Sequence, residues 1–158
     1  MKRYYEDNMC YFITTVTHNR KEIFNDKIAC ELFIVVVTYL KYIYDFNVYG
    51  FVIMPDHVHI IIHPCANKNI SEIMKRIKGN FSRMYNKIYD NHGQIWQRKF
   101  YDNAIRNPNQ IIKTIEYIHN NPIRSNLVNR VDEYVYSSYM YYYGEDKKFD
   151  LLIDKFEI

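Results

Sequence analysis

The sequence predicts an α+β domain of the ferredoxin-like (split βαβ) kind. This is an antiparallel sheet with two helices on one face and a third, tyrosine-bearing helix near a pair of histidines. Three observations lead there. Apolar residues recur in an order of periods that reads β-α-β-β-α-β. Pro55-Asp56 makes a tight turn between two β-branched runs and folds them into a hairpin. Asn107-Pro108 opens a further helix, with Asn at the cap and Pro at the first helical position.

Tyr11 to Thr17 alternates aromatic and β-branched residues and reads as the first strand. Asn25 caps a long helix over about 26–46, with Ile28, Leu32, Val35, Val36, Tyr39 and Ile43 at helical spacing. Residues 48–54 form the second strand, which contains Gly50, and 57–63 the third. Ser71 to Tyr89 reads as an amphipathic helix with Ile73, Ile77, Phe81, Met84 and Ile88 inward. Trp96 to Arg106 reads as the fourth strand, and the third helix runs from Pro108 to Asn120 or Asn121, where Pro122 ends it. Residues 1–143 make one domain. Leu151 to Ile158 is a short docked helix or a frayed tail, and the pattern over 144–158 decides neither.

The chain has 158 residues, enough for one core. No apolar run approaches the ~20 residues that span a bilayer, and Leu32 to Leu40 is the longest candidate. Met1 to Asn8 is polar, with no signal-peptide core after it. The expectation is a cytoplasmic, nucleoid-associated protein. Cys10, Cys30 and Cys65 are odd in number and form no Cys-x-x-Cys pair, so reduced, mostly buried thiols are expected. Net charge is +3, but its distribution is uneven. Between Lys68 and Arg106 stand nine basic residues against Glu72, Asp90 and Asp102. That excess suits a phosphate backbone; it also reads as a solvated helix face.

His57 and His59 flank Val58 on the third strand, so both imidazoles face one way. Their Cα atoms lie ~6.5–7 Å apart, close enough to converge on one metal ion. His63 and Cys65 share their parity. His63 lies ~13 Å along the strand from His59, which sets it and Cys65 aside as ligands of the same ion. A third ligand must come from elsewhere. On the helix after Pro108, Ile111, Ile112, Ile115 and Ile118 form the apolar stripe. At ~100° per residue, Thr114, Tyr117 and Asn121 fall on one flank and His119 on the other. A phenol and a carboxamide four residues apart are neighbours, and a carboxamide oxygen is a fair hard ligand for Mg²⁺ or Mn²⁺. The same spacing also reads as a ring capping the core and an amide capping the helix end.

Met54-Pro55-Asp56-His57-Val58-His59, followed by an apolar run, resembles the HUH motif of single-tyrosine (IS200-like) transposases. Lys75 to Asn86 resembles their second helix. Trp96-Gln97-Arg98 and Tyr117-Ile118-His119-Asn120-Asn121-Pro122 resemble the REP-associated tyrosine transposases, and the likeness runs from about Tyr11 to Tyr143. The resemblance implies a catalytic nucleophile at Tyr117 and metal ligation by His57 and His59, completed from the tyrosine's helix. The insertion-sequence branch has Gln four residues after its tyrosine, where this chain has the shorter Asn121. Insertion-sequence relatives are dimers while the REP-associated branch need not be, so a homodimer and a monomer both stay open.

These readings combine into a metal-dependent single-stranded DNA endonuclease and strand transferase. Tyr117 would form a 5′-phosphotyrosine, and Mg²⁺ or Mn²⁺ would be held by His57, His59 and Asn121. Single-stranded or hairpin DNA is the expected partner. Lys75, Arg76, Lys78 and Arg83, with Arg98 and Lys99 behind them, are the candidate phosphate contacts. Trp96 reads either as a stacking platform or as core. The alternative is a non-catalytic domain of the same fold that binds single-stranded or hairpin nucleic acid.

Overall fold

The computed structural model describes residues 9–158. The polar stretch Met1–Asn8, expected to carry no signal core, lies outside the described residues. The four strands are β1 (Cys10–Val16), β2 (Phe46–Met54), β3 (His57–Pro64) and β4 (Tyr101–Ile105). They form one antiparallel sheet in the order β2-β3-β1-β4, the split βαβ arrangement. β3 is central, and its run Val58 to Ile62 is buried, as expected of a strand covered on both faces.

Helices α1 (Lys27–Tyr44) and α2 (Ile70–Ile88) pack on each other and on one face. Asp26 caps α1 by accepting from the Ile28 N–H, so the cap lies one residue after the expected Asn25. Asn69 caps α2 by accepting from the Glu72 N–H, two residues before the expected Ser71 start. The buried side of α1 also differs from expectation. Leu32 and Val36 are buried, but Ile28, Val35, Tyr39 and Ile43 are exposed, and Ala29, Phe33, Val37 and Leu40 point inward. The helix is apolar nearly all round, so periodicity alone does not select a face. On α2, Ile73, Ile77 and Phe81 are buried, while Met84 and Ile88 lie exposed on its last two turns.

The fourth strand is shorter than Trp96 to Arg106. Trp96 makes one isolated bridge to Thr17, and the chain re-enters the sheet only at Tyr101. Between them the Lys78 ammonium donates to the carbonyls of Gln97 (2.7 Å) and Arg98 (3.4 Å). Those acceptors therefore serve a side chain rather than a strand ladder. Trp96 is core, packed between Phe24, Phe33 and Phe81 at centroid distances of 5.3–6.1 Å.

Helix α3 (Pro108–Arg124) lies across the other face, against β2 and β3. A Cβ on Gly50 would meet Ile115 of α3 at 3.6 Å and the Ser138 hydroxyl at 3.3 Å, so glycine there permits close approach. Asn107 caps the helix as expected, accepting from the Gln110 N–H. Pro122 does not end it, contrary to expectation. The helix continues to Arg124 and closes in a Schellman motif. The Leu127 N–H bonds the Pro122 carbonyl, the Asn126 N–H bonds the Ile123 carbonyl, and Asn126 is left-handed at φ 58°.

The chain after α3 docks along the outer edge of β2. The Ile53 N–H donates to Tyr136, and the Ser138 N–H donates to Phe51. Phe149, Leu152 and Ile153 are buried in the core. The Lys41 ammonium, itself buried, pairs with Asp154 at 2.7 Å, and Asp154 exchanges two hydrogen bonds with the Val48 backbone.

His119 points away from Tyr117, into this docked segment. It is buried, 2.7 Å from the Ser138 hydroxyl and ringed by Tyr139, Tyr142 and Tyr143. Burial pushes its pKa down from 6.5 to about 4. The unfolded chain therefore takes up this proton first as pH falls. Stability is full above pH 6.5 and falls as pH drops towards 4, because the buried site disfavours the imidazolium. The loss amounts to roughly 3 kcal/mol. Urea unfolding at pH 7.5 and 4.5 should show the loss, and His119→Gln should reduce it; an unchanged pH dependence in that variant would assign the loss to other groups.

Candidate active site

Paired residues in an antiparallel ladder share a face. The register Met54↔His57↔Val16 and Val52↔His59↔Thr14↔Tyr101 therefore puts both histidines, Thr14 and Tyr101 on the α3 side. The two imidazole centroids are 4.8 Å apart. Each ring is fixed through Nδ1. His57 Nδ1 lies 2.6 Å from an Asp56 carboxylate oxygen, and His59 Nδ1 lies 2.8 Å from the Thr14 hydroxyl. The Asp56 carboxylate can only accept, so His57 donates from Nδ1–H, and the Thr14 hydroxyl can accept in the same way from His59. With Nδ1 donating, Nε2 keeps its lone pair, the arrangement that a metal-ligating histidine requires.

Asp56 is held in turn by Arg20 at 3.2 Å. Partial burial pushes the Asp56 pKa up, but the hydrogen bonds and charges of His57 and Arg20 outweigh this and leave it below the ordinary value. His59 is buried. Burial first, then the neighbouring charges of His57 and Arg124, pull its pKa from 6.5 down to about 3. A neutral imidazole is the form that binds metal.

Tyr117 is 48% exposed, its ring 6.1 Å from His59 and 5.9 Å from Phe12. The structure thus brings the expected nucleophile to the histidine pair. One turn further along α3, Asn121 is buried and its Oδ1 has no hydrogen-bond partner. A buried carbonyl oxygen left without a partner costs about 1–3 kcal/mol, which a cation would offset. Among the described residues no group of three His, Cys, Asp or Glu side chains could hold a metal. The Asn121 carboxamide oxygen is a hard donor outside that set.

His63 and Cys65 lie at the far end of β3. His63 sits 3.1 Å from the Tyr49 hydroxyl, and burial pushes the Cys65 thiol up. The basic candidates are not all gathered at the histidines. α2 lies on the opposite face, with Lys75 exposed, Arg76 over the Tyr44 ring and Arg83 bonded to Asn80. Lys78 is tied to the 97–98 carbonyls, and Arg98 and Lys99 are exposed beside it.

Two residues at the site were not singled out in the sequence. Tyr101 is 63% exposed on the sheet face that carries Thr14 and His59. Strand alternation from Phe12 and Thr14 through the register could have found it. Arg124 stacks on Tyr117, with its guanidinium carbon 4.1 Å from the ring centroid. It was hidden by the expectation that Pro122 ends the helix.

Known proteins are similar to this chain in sequence, and a solved structure is similar in fold. A REP-associated tyrosine transposase of Escherichia coli K12 is 25% identical over 141 residues, covering 87% of this chain and 81% of its own length. A Haemophilus influenzae protein provisionally described as a REP-associated tyrosine transposase is 28% identical over 106 residues; the match covers 61% of this chain and 60% of that protein. A REP-associated tyrosine transposase solved bound to a REP hairpin superposes with a TM-score of 0.80 at 22% identity, over 92% of this chain and 85% of that one. The family described as "Transposase IS200 like" matches residues 5–121, and this chain belongs to it.

Proposed function

We propose that the protein cuts single-stranded DNA beside a hairpin and rejoins it, with Tyr117 as nucleophile and a 5′-phosphotyrosine as intermediate. The observation that carries this reading is the exposed Tyr117 phenol next to two histidines whose Nδ1 atoms are already engaged. The relative of matching fold is described as bound to a REP hairpin, which supports hairpin DNA as the partner.

His57 and His59 would hold Mg²⁺ or Mn²⁺ through Nε2, with Asn121 Oδ1 as third ligand. Asp56 and Thr14 fix the tautomers and ring angles. A bound divalent ion would polarise the scissile phosphate and offset its developing charge. Tyr117 forms the bond to phosphorus as the P–O3′ bond breaks, which conserves the phosphodiester for transfer to another 3′-OH. Lys75, Arg76, Lys78, Arg83, Arg98 and Lys99 form a basic margin suited to the hairpin backbone, away from the cut.

Tyr101 is the proposed stacking platform for a base next to the scissile phosphate. Tyr101→Ala should weaken single-strand binding by roughly 1–3 kcal/mol and leave a blunt hairpin unaffected. Fluorescence anisotropy on the two ligands checks this, and equal losses on both would remove Tyr101 from the single-strand path.

The deciding experiment incubates the protein with Mn²⁺ and a library of hairpins bearing single-stranded flanks, followed by denaturing electrophoresis. A covalent adduct whose DNA maps to Tyr117 by mass spectrometry supports the proposal. Binding without any adduct favours the non-cutting DNA-binding domain. A free 5′-phosphate in full yield, with no adduct, assigns the attack to water.

A further inference from the structure

We propose that Arg124 is a phosphate-binding residue of the tyrosine site, whose guanidinium takes the non-bridging oxygens of the phosphodiester that Tyr117 attacks. This rests on the reading of Tyr117 as nucleophile.

Arg124 lies seven residues after Tyr117, two turns along one helix face. That alignment exists only because α3 continues through Pro122 and closes at Asn126. The guanidinium sits over the Tyr117 ring at 4.1 Å, and one Nη donates to the Tyr117 carbonyl at 2.8 Å. Stacking uses the flat face of the guanidinium and leaves its N–H edge free. One donor of the five is engaged by the carbonyl. Among the described residues no carboxylate pairs with Arg124, and the residue is exposed. A cation whose face is occupied and whose fork is open is built for a planar or tetrahedral oxyanion. Its position over the Tyr117 ring places that oxyanion beside the phenol.

In the step it serves, the Tyr117 oxygen bonds to phosphorus. The P–O3′ bond breaks with its electron pair going to the 3′ oxygen, and the phenolic proton passes through solvent to complete the 3′-OH. Arg124 exchanges no proton; it neutralises charge on the two non-bridging oxygens.

The test uses the full chain carrying Tyr117→Phe, which keeps the ring but not the hydroxyl. Its binding to a 3′-fluorescein thymidine decamer is compared with and without a 5′-phosphate. The Arg124 protein should prefer the phosphorylated strand roughly tenfold, as a charge-assisted hydrogen bond allows. Arg124→Met should lower the preference to about twofold or less, and Arg124→Lys should keep part of it because charge without the fork still attracts phosphate. No preference in the Arg124 protein, or an undiminished one in Arg124→Met, overturns the assignment. The adduct assay reports separately on the nucleophile: an unmutated protein without adduct defeats that reading, while the phosphate preference still decides Arg124.

Discussion

Tyr117→Phe should form no covalent DNA adduct while binding hairpin DNA within about twofold of the unmutated protein. The phenol oxygen is the atom proposed to bond to phosphorus, and no neighbouring side chain depends on it for packing. The ring's contacts with Phe12, His59 and Arg124 involve its faces and edges, which phenylalanine retains. Losing the nucleophile of an enzyme costs on the order of 10⁴–10⁶ in rate where such residues have been removed. The expected outcome is therefore disappearance of the adduct band with an unchanged binding isotherm. If the band persists at comparable intensity, another of the seventeen tyrosines attacks. Tyr139, Tyr142 and Tyr143 gather instead around His119, on the opposite flank of α3 from Tyr117.

Trp96→Ala should cost about 3–5 kcal/mol of stability. The indole closes a cluster of Phe24, Phe33 and Phe81 that joins α1, α2 and the segment before β1's partner strand β4. Removing it opens a cavity that three rings on separate elements cannot readily fill. A loss of this size is a large fraction of a domain's usual ~5–15 kcal/mol. Trp96→Phe should cost much less, because it keeps most of the ring and removes an indole N–H that is buried without a partner. Urea midpoints for the two variants check the pair, and a loss below about 1 kcal/mol in the alanine variant would show that the cluster closes without it.

The strand pattern and the histidine pair were legible because their signal is local. Alternation and β-branching mark β1 to β3, and a turn at Pro55-Asp56 leaves little freedom in how β2 meets β3. Two histidines separated by one residue must share a face wherever that strand ends up. Helix arithmetic put Tyr117 and Asn121 on one flank for the same reason. Spacing alone also allowed a ring capping the core and an amide capping the helix, and the resemblance supplied their expected roles. What was lost needed partners distant in sequence. The inward side of α1 is chosen by what packs on it, and its apolar residues on the far side carry no mark of their exposure. Pro122 reads as a stop only if its missing N–H and its ring are weighed without the surrounding fold; buried within the helix, it is passed over, and Arg124 follows. Lys41 likewise resembles any surface lysine until Asp154, over a hundred residues later, comes to meet it.

The hydrogen bonds that orient His57 and His59 come from Asp56 and Thr14, which are parts of the hairpin turn and of β1. The imidazole rotors are thus frozen when the sheet forms, and little side-chain entropy would be left to surrender to an ion. Such a pair would behave as a socket rather than a rivet. A bound ion would leave and be replaced without the strands parting, so its identity would follow the supply of the surroundings and not the history of folding.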